Sequence, residues 1–273
     1  KFFDEGNVVR VEGDDAHRWP RGHENWEVFT HLDPKSNRLH RDLRHAIALK
    51  VGRPIERVHY DHKTGRFTNP EKMESSKVIL FEGLHSYMLK RTRDLFDVKI
   101  FLEPEENLRI HWKLLRDTQE RGHERDKVLE QLKKRSQDSE KFIRPQRELA
   151  DIVVSYELTR PLQALGSSEE KCELRLKLTF ENSLDIEPLV QALQNVETLD
   201  VDYTYEDLHK ISLVCAGEIS SRELEQIAFR LIPNIREFLQ GTPNWEQGLS
   251  GILQLFVLYY LCERQIFKEE QNA

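Results

Sequence analysis

The chain has 273 residues, 33% of them charged and 38% hydrophobic, with a formal net charge of -7. That length builds one large or two modest domains with proper cores, and the acidic balance argues against a nucleic-acid-binding role, so any anion site has to be local. Three cysteines, Cys172, Cys215 and Cys262, with no C-x-x-C pair, give no sign of a disulfide framework or a zinc site and suit a reducing cytoplasm.

In chain order, K-F-F-D-E-G reads as the last turn of a helix closing on Gly6, with nothing before it to start that helix, so the chain is expected to be truncated or processed at its N-terminus. Residues 7–13 have the β-branched character of a short strand, which delivers Asp14-Asp15 at its end. The loop that follows concentrates His17, Arg18, Arg21 and His23 beside those acids. This suits an anionic substrate approaching a general base, or else a polar surface loop. His31-Leu32-Asp33-Pro34 opens a helix over 36–51 with Leu39, Leu43 and Ile47 on one face. Residues 58–61, which include Tyr60, read as a short strand, 62–66 as a turn on Thr64-Gly65, and 67–76 as a connecting loop.

Val78-Ile79-Leu80-Phe81 is an unbroken apolar run, the pattern of a parallel strand buried on both faces, and it stops at Glu82-Gly83. A carboxylate at the C-terminal edge of such a strand, followed by a glycine that lets the chain turn, is placed to act on a metal-bound phosphate; the alternative is a solvated turn. A short helix over 87–95, a second apolar strand over 98–102 and a helix over 107–119 continue the α/β rhythm. Gly122 then breaks that helix and leaves Arg116, Arg121 and His123 around a mobile junction, either a lid closing cations over a phosphoryl group or a solvated basic face. A charged helix over 126–142 and a strand over 152–154 follow.

The polar stretch 159–171 is the expected boundary, dividing a domain of residues 1–158 from one of 171–273. Beyond it, Leu174, Leu176, Leu178 and Phe180 alternate with polar residues, as in an antiparallel strand with one wet face. A helix over 186–194, strands near 201–205 and 211–214, and a helix opened by the capping pair Ser220 and Glu223 make a small α+β unit. The last helix, 245–268, is apolar nearly all round, and is buried either within its own domain or in a homo-oligomer interface. The longest apolar stretch, 252–262, is far short of the roughly 20 residues a membrane span needs.

Six segments in order resemble the phosphoribulokinase/uridine kinase family of P-loop kinases: G-D-D-A-H-R-W-P-R at 13–21, L-D-P at 32–34, V-H-Y-D-H-K-T-G at 58–65, V-I-L-F-E-G-L-H at 78–85, W-K-L-L-R-D-T-Q-E-R-G-H at 112–123 and R-P-Q-R-E-L-A-D-I-V-V at 144–154. E-G-L-H and R-D-x-x-E-R-G-H look closer to the phosphoribulokinase side. The resemblance implies an α/β fold with a P-loop-kinase-like parallel sheet and flanking helices, plus a smaller C-terminal α+β region. It implies an ATP- and Mg2+-dependent kinase that phosphorylates a hydroxyl of a small sugar phosphate, with a uridine or cytidine kinase as the alternative. A binding module that kept the fold but not the chemistry is the alternative from another class.

By the same resemblance Asp14 is the base and Glu82 the acid that acts on magnesium, with Asp14 as a second metal-side carboxylate. Arg116 and Arg121 are cations on the nucleotide phosphates. His17 and Arg21 are substrate ligands, Asp33 and Tyr60 line the acceptor pocket, and His85 of E-G-L-H is grouped with them. The glycine-rich loop G-x-x-x-x-G-K-[ST] does not occur in residues 1–273, and the family places it ahead of the helix that residues 1–6 are expected to end. An open slot is therefore expected beside the 78–81 strand.

Overall fold

A computed structural model describes residues 7–232, 235 and 243–270, with side chains described as far as residue 264. The helix end expected at residues 1–6 lies outside the described residues. In chain order the elements are β1 (Val8–Glu12), α1 (Asn25–Val28), α2 (Leu39–Lys50), β2 (Ile55–Arg57), β3 (Tyr60–Asp61), β4 (Arg66–Phe67), β5 (Glu71–Met73), β6 (Val78–Glu82) and α3 (Lys90–Arg93). They continue with β7 (Ile100–Leu102), α4 (Glu106–Leu115), α5 (Arg125–Asp138), β8 (Ile152–Leu158), β9 (Leu174–Glu181), α6 (Glu187–Gln194), β10 (Leu199–Tyr205), β11 (Lys210–Gly217), α7 (Ser221–Leu231) and α8 (Gly248–Glu270).

The chain divides into two compact units: residues 7–99 with 123–150, and residues 100–122 with 151 onward. In the first unit β1 and β6 pair in parallel, Val8 opposite Val78 through Glu12 opposite Glu82. Side chains alternate across a strand, so Val9, Val11, Ile79 and Phe81 share one face, and they pack with Ala48 and Leu49 of α2, Ile55 and Met73. The other face carries Arg10, Glu12, Leu80 and Glu82. Leu80 is 49% exposed there, which corrects the expectation of a strand buried on both faces: an all-apolar run does not bury itself where its neighbour presents charge at every second position. Among the described residues β6 pairs with β1 alone. The stretch 67–76, expected to be a loop, contributes β5, which closes an antiparallel pair with β2. The helix expected over 87–95 is a single turn, α3.

The second unit is built on a five-stranded sheet of order β10-β11-β9-β8-β7, parallel between β7 and β8 and antiparallel elsewhere. The boundary expected at 159–171 is corrected here. That segment joins β8 to β9, and the two pair from Ile152 opposite Phe180 to Leu158 opposite Leu174, so the connector turns within one sheet instead of separating two domains. Alternation is the reason β9 is a strand: Leu176, Leu178 and Phe180 are fully buried while Arg175 and Lys177 turn outward into ion pairs with Glu157 and Glu206. Thr179 and Ser212, directly opposite each other and both buried, satisfy their hydroxyls mutually at 2.8 Å. The capping box that opens α7 is formed, Ser220 Oγ accepting from Glu223 N and the Glu223 carboxylate accepting from Ser220 N.

Helix α8 answers why its sequence is apolar all round. Ile252, Leu255, Phe256, Leu258 and Tyr259 are all buried within the chain itself, Phe256 against Phe180 at 4.8 Å between ring centroids, and Tyr259 Oη donates to the Asp185 carbonyl. An oligomer interface through α8 is not needed to explain its composition. Among the described residues no helix is long and apolar enough to cross a membrane.

Candidate active site

The unit of residues 7–99 and 123–150 gathers most of the expected site residues, and it does so with two glycines. At the C-terminal ends of β1 and β6 the chains turn through Gly13 and Gly83. A Cβ added to Gly13 would stand 2.6 Å from Gly83 Cα, and one added to Gly83 would stand 2.8 Å from Gly13 Cα. Gly83 also takes φ of +151°, a region side chains rarely enter. Because the strands can close to this distance, Asp14, one residue past Gly13, and Glu82, one before Gly83, stand at the same sheet edge.

Asp14 lies on a short 3-10 turn, Gly13–Ala16, about half exposed. Its Oδ1 is 3.4 Å from His17 Nε2 and its Oδ2 3.2 Å from His62 Nε2. His17 is almost fully buried, its ring edge-on to Trp26 and Tyr60 and tilted against His31. Its tautomer follows from its other neighbour. Asn37 Nδ2 donates to the carbonyls of His31 and Asp33, so Asn37 Oδ1 faces His17 and accepts from Nδ1–H at 2.9 Å. His17 Nε2 is left to address Asp14.

What holds this turn is a buried charge network anchored on Arg57, whose side chain is completely inaccessible. Arg57 Nε donates to Asp15 Oδ2 at 3.0 Å, Nη1 to Asp42 Oδ1 at 2.8 Å and to His45 Nδ1 at 3.1 Å, and Nη2 to the Glu12 carbonyl at 2.6 Å. Asp15 Oδ1 in turn accepts from Tyr60 N at 2.7 Å, and His59 Nδ1 lies 3.2 Å from Oδ2. Burial pushes the Asp42 carboxyl up, with Arg57 pulling against it. Burial, reinforced by the nearby charge of Arg57, pushes His45 down to about 4, so it stays neutral and accepts from the guanidinium. This network went unseen in the sequence. Its bonded partners lie 12 to 45 positions apart, so no local pattern marks them.

The remaining site residues divide. Tyr60 presents its ring to both His17 and His62. Arg21 fastens the β3–β4 hairpin, its Nη2 donating to the His62 carbonyl at 2.6 Å and its N to Gly65 O at 2.8 Å; Gly65, at φ +71°, leaves the room for it. Its guanidinium stays exposed. Glu82 and His85 line a cleft with Gly13, Asn37 and Asp42. His85 Nε2–H donates to the Leu32 carbonyl, and burial holds the ring below its ordinary value, hence neutral. Asp33 works locally: its Oδ1 caps the next turn by accepting from Lys35 N, and it is its carbonyl that reaches Asn37. The carboxylate of Glu82 is held by Arg10 Nη2 at 2.7 Å, a pairing dictated by strand register. Trp19, Trp26, Phe29 and His31 stack and abut one another, so their rings are occupied.

Arg116 and Arg121 belong to the other unit, and there both converge on Asp117, Arg116 Nε at 3.0 Å and Arg121 Nη1 at 3.4 Å, with Lys113 on its second oxygen. The expected junction cations are therefore tethered. The i, i+4 spacing of Lys113, Asp117 and Arg121 was the available signal. Burial, the largest influence, favours the protonated Asp117, but the hydrogen bonds from Lys113 and Arg116 outweigh it and hold the carboxyl below the usual range. Gly122, at φ +69°, ends this segment as expected.

As for a metal, no group of three or more His, Cys, Asp or Glu side chains among the described residues forms a cage. Magnesium does not need one, being bound through one or two carboxylates with phosphates and water completing its shell, and the half-exposed pair Asp14 and Glu82 is a donor set of that kind.

A model of the Phosphoribulokinase / Uridine kinase family matches residues 9–161, from β1 through β8. The phosphoribulokinase of Synechocystis sp. is 34% identical over 177 residues, which cover 65% of this chain and 52% of that protein. A uridine kinase of Listeria monocytogenes is 36% identical over 114 residues, 41% of this chain and 54% of that protein. The chain thus spans about half the length of the curated relatives it matches. In fold, it is similar to the structure of phosphoribulokinase from Rhodobacter spheroides, with a TM-score of 0.57 over 76% of this chain and 80% of that one, at 19% identity.

Proposed function

The chain belongs to the phosphoribulokinase/uridine kinase family, and from that premise we propose that it serves an ATP-dependent transfer of phosphate to a hydroxyl of a small sugar phosphate, with Asp14 as general base. The observation that carries this reading is the setting of Asp14: an accessible carboxylate at a sheet edge, between two imidazoles, on a turn that a buried arginine fixes from behind.

Asp14 takes the proton of the acceptor hydroxyl. Once protonated on Oδ1, it can donate to His17 Nε2, whose lone pair is kept free because Nδ1–H is committed to Asn37. His62 holds the opposite carboxylate oxygen and so fixes which oxygen faces the substrate. The exposed guanidinium of Arg21 gives a phosphorylated acceptor its counter-charge, with the His17 imidazole as a neutral ligand and Tyr60 as the wall. A sugar phosphate suits this better than a nucleoside, since the nearby aromatic rings pack on one another instead of offering a free face. Glu82 and Asp14 would hold magnesium, which supplies charge neutralisation at the nucleotide phosphates; Arg10 must then release Glu82. His85, kept neutral against the Leu32 carbonyl, shapes the cleft beside Glu82. A reducing cytoplasm, where Cys172, Cys215 and Cys262 stay unpaired, completes the reading.

The test is turnover with MgATP across a panel of sugar phosphates and nucleosides. Asp14→Asn should lower kcat by at least about 10²-fold, the usual contribution of a positioned base. Activity within tenfold of the parent would remove Asp14 from the mechanism, and turnover of uridine but of no sugar phosphate would overturn the substrate class.

A further inference from the structure

A second depression in the first unit has no part in the reading above. It is a groove of about 440 Å3, open to solvent, walled by Arg18, Lys35, Arg38, His40, Arg41 and Arg44 over a small apolar floor that includes Pro34 and Leu39. No carboxylate lines it. In a chain of net charge -7 such a concentration of cations is anomalous, and the anomaly extends to pairing. Several arginines elsewhere are matched with acids, as Arg10 with Glu82, Arg57 with Asp15 and Asp42, Arg109 with Glu106 and Arg175 with Glu157, although others, such as Arg21, are not. Among the described residues none of the six groove cations forms an ion pair.

Two further features bear on how these cations are held. Helix α2 begins here with Arg38, His40 and Arg41 at the positive end of its own dipole and with no side-chain cap at Arg38; the one acid of its first turn, Asp42, is committed to Arg57, outside the groove lining. Arg41 donates from Nη2 to the Asp15 carbonyl, yet its Nε is buried with no hydrogen-bond partner. Burial pushes the Arg41 guanidinium down from its ordinary value, with Asp42 pulling against it and Arg57 and Arg38 adding to it.

We infer that this groove binds a small anion carrying two phosphate groups, either a diphosphate or a sugar bisphosphate. The number of cations exceeds what one phosphate can engage, and the volume is that of a small-molecule site. A nucleic-acid strand is the poorer fit, because no Trp, Tyr or Phe faces the groove to stack a base. The site lies directly behind the Asp14 turn and is hydrogen-bonded to it: Arg18 N donates to Ser36 O, Arg38 N to Ala16 O, and Arg41 to Asp15 O.

Calorimetric titration of the chain with inorganic pyrophosphate near physiological ionic strength tests the inference. The double variant Arg38→Gln/Arg44→Gln changes two exposed side chains, and it should weaken binding by at least about tenfold, as expected for loss of charge-assisted hydrogen bonds. A charge-matched control at residues that do not line the groove, Arg222→Gln/Arg230→Gln on α7, removes the same net charge and should leave affinity within about twofold. Circular dichroism verifies that both variants fold. No binding at millimolar pyrophosphate, equal loss in the α7 control, or no loss in the groove variant would overturn the assignment. Tighter binding of an oligothymidylate than of pyrophosphate, abolished by the groove variant, would overturn the small-molecule class.

Discussion

The two units of this chain bury different things. The one built on the five-stranded sheet buries mostly hydrocarbon: Leu176, Leu178, Phe180, Leu189, Leu213 and Phe256 are all at or near zero exposure, its buried hydroxyls, Thr179 and Ser212, are paired, and its one buried carboxylate among the described residues, Asp117, is met by Lys113, Arg116 and Arg121. The one that carries Asp14 buries charge: Arg57, Asp15, His17 and Asn37 are enclosed, while its apolar cluster about Val11, Leu49 and Ile55 is small. Packed hydrocarbon is stabilising whatever its exact partners, whereas a buried ion network is costly to assemble and severe to break, so its main return is a fixed geometry. The sheet unit is built for stability, and the other spends stability to hold one carboxylate between two imidazoles.

The contrast can be broken most forcefully at Arg57. Arg57→Met should leave Asp15 and Asp42 buried without their cation and cost about 3–5 kcal/mol in chemical denaturation. A loss below about 1 kcal/mol would mean the network is solvated and the contrast false. In the hydrocarbon unit Phe256→Ala should cost a comparable amount, about 3–5 kcal/mol, through cavity formation. It should leave the pH dependence of stability unchanged, whereas Arg57→Met should alter it.

That pH dependence sharpens the comparison further. His45 is held down to about 4 against an ordinary 6.5, so between those values the unfolded chain binds a proton that the folded one refuses. Its contribution to stability is complete above about pH 6.5 and is lost progressively as pH falls towards about 4. Denaturation midpoints measured across that window should flatten in His45→Gln, and an unchanged slope would refute the assignment. At the small end, Ser220→Ala removes one half of the α7 capping box and should cost about 1 kcal/mol, without effect on turnover.

The hydrocarbon unit was legible in the sequence because its rules are local. Alternation at Leu174 to Phe180 marked β9, and Ser220 with Glu223 marked the start of α7, each within a few residues. The ends of β1 and β6, with Asp14 and Glu82 on them, were legible for the same reason. What stayed hidden depends on register and distance along the chain. The pairing of Arg10 with Glu82 spans 72 positions, and the hold of Arg57 on Asp15 spans 42. The uncovered face of Leu80 was hidden too, since four apolar residues in a row cannot say whether one face or two is buried. That Arg116 and Arg121 both settle on Asp117 depends on side-chain conformations that the helical spacing permits but does not dictate.

The contact between Gly13 and Gly83 has a consequence in genetics. Most tight contacts can be relieved from the other side, a larger residue here compensated by a smaller one there, and such pairs yield second-site suppressors. At this contact both partners are already glycine and the colliding atoms are backbone, so neither side has anything left to give up. A selection for revertants of Gly13→Ala should therefore return true revertants and no compensating change at position 83, so that for mutation the two positions behave as one locus without an escape route.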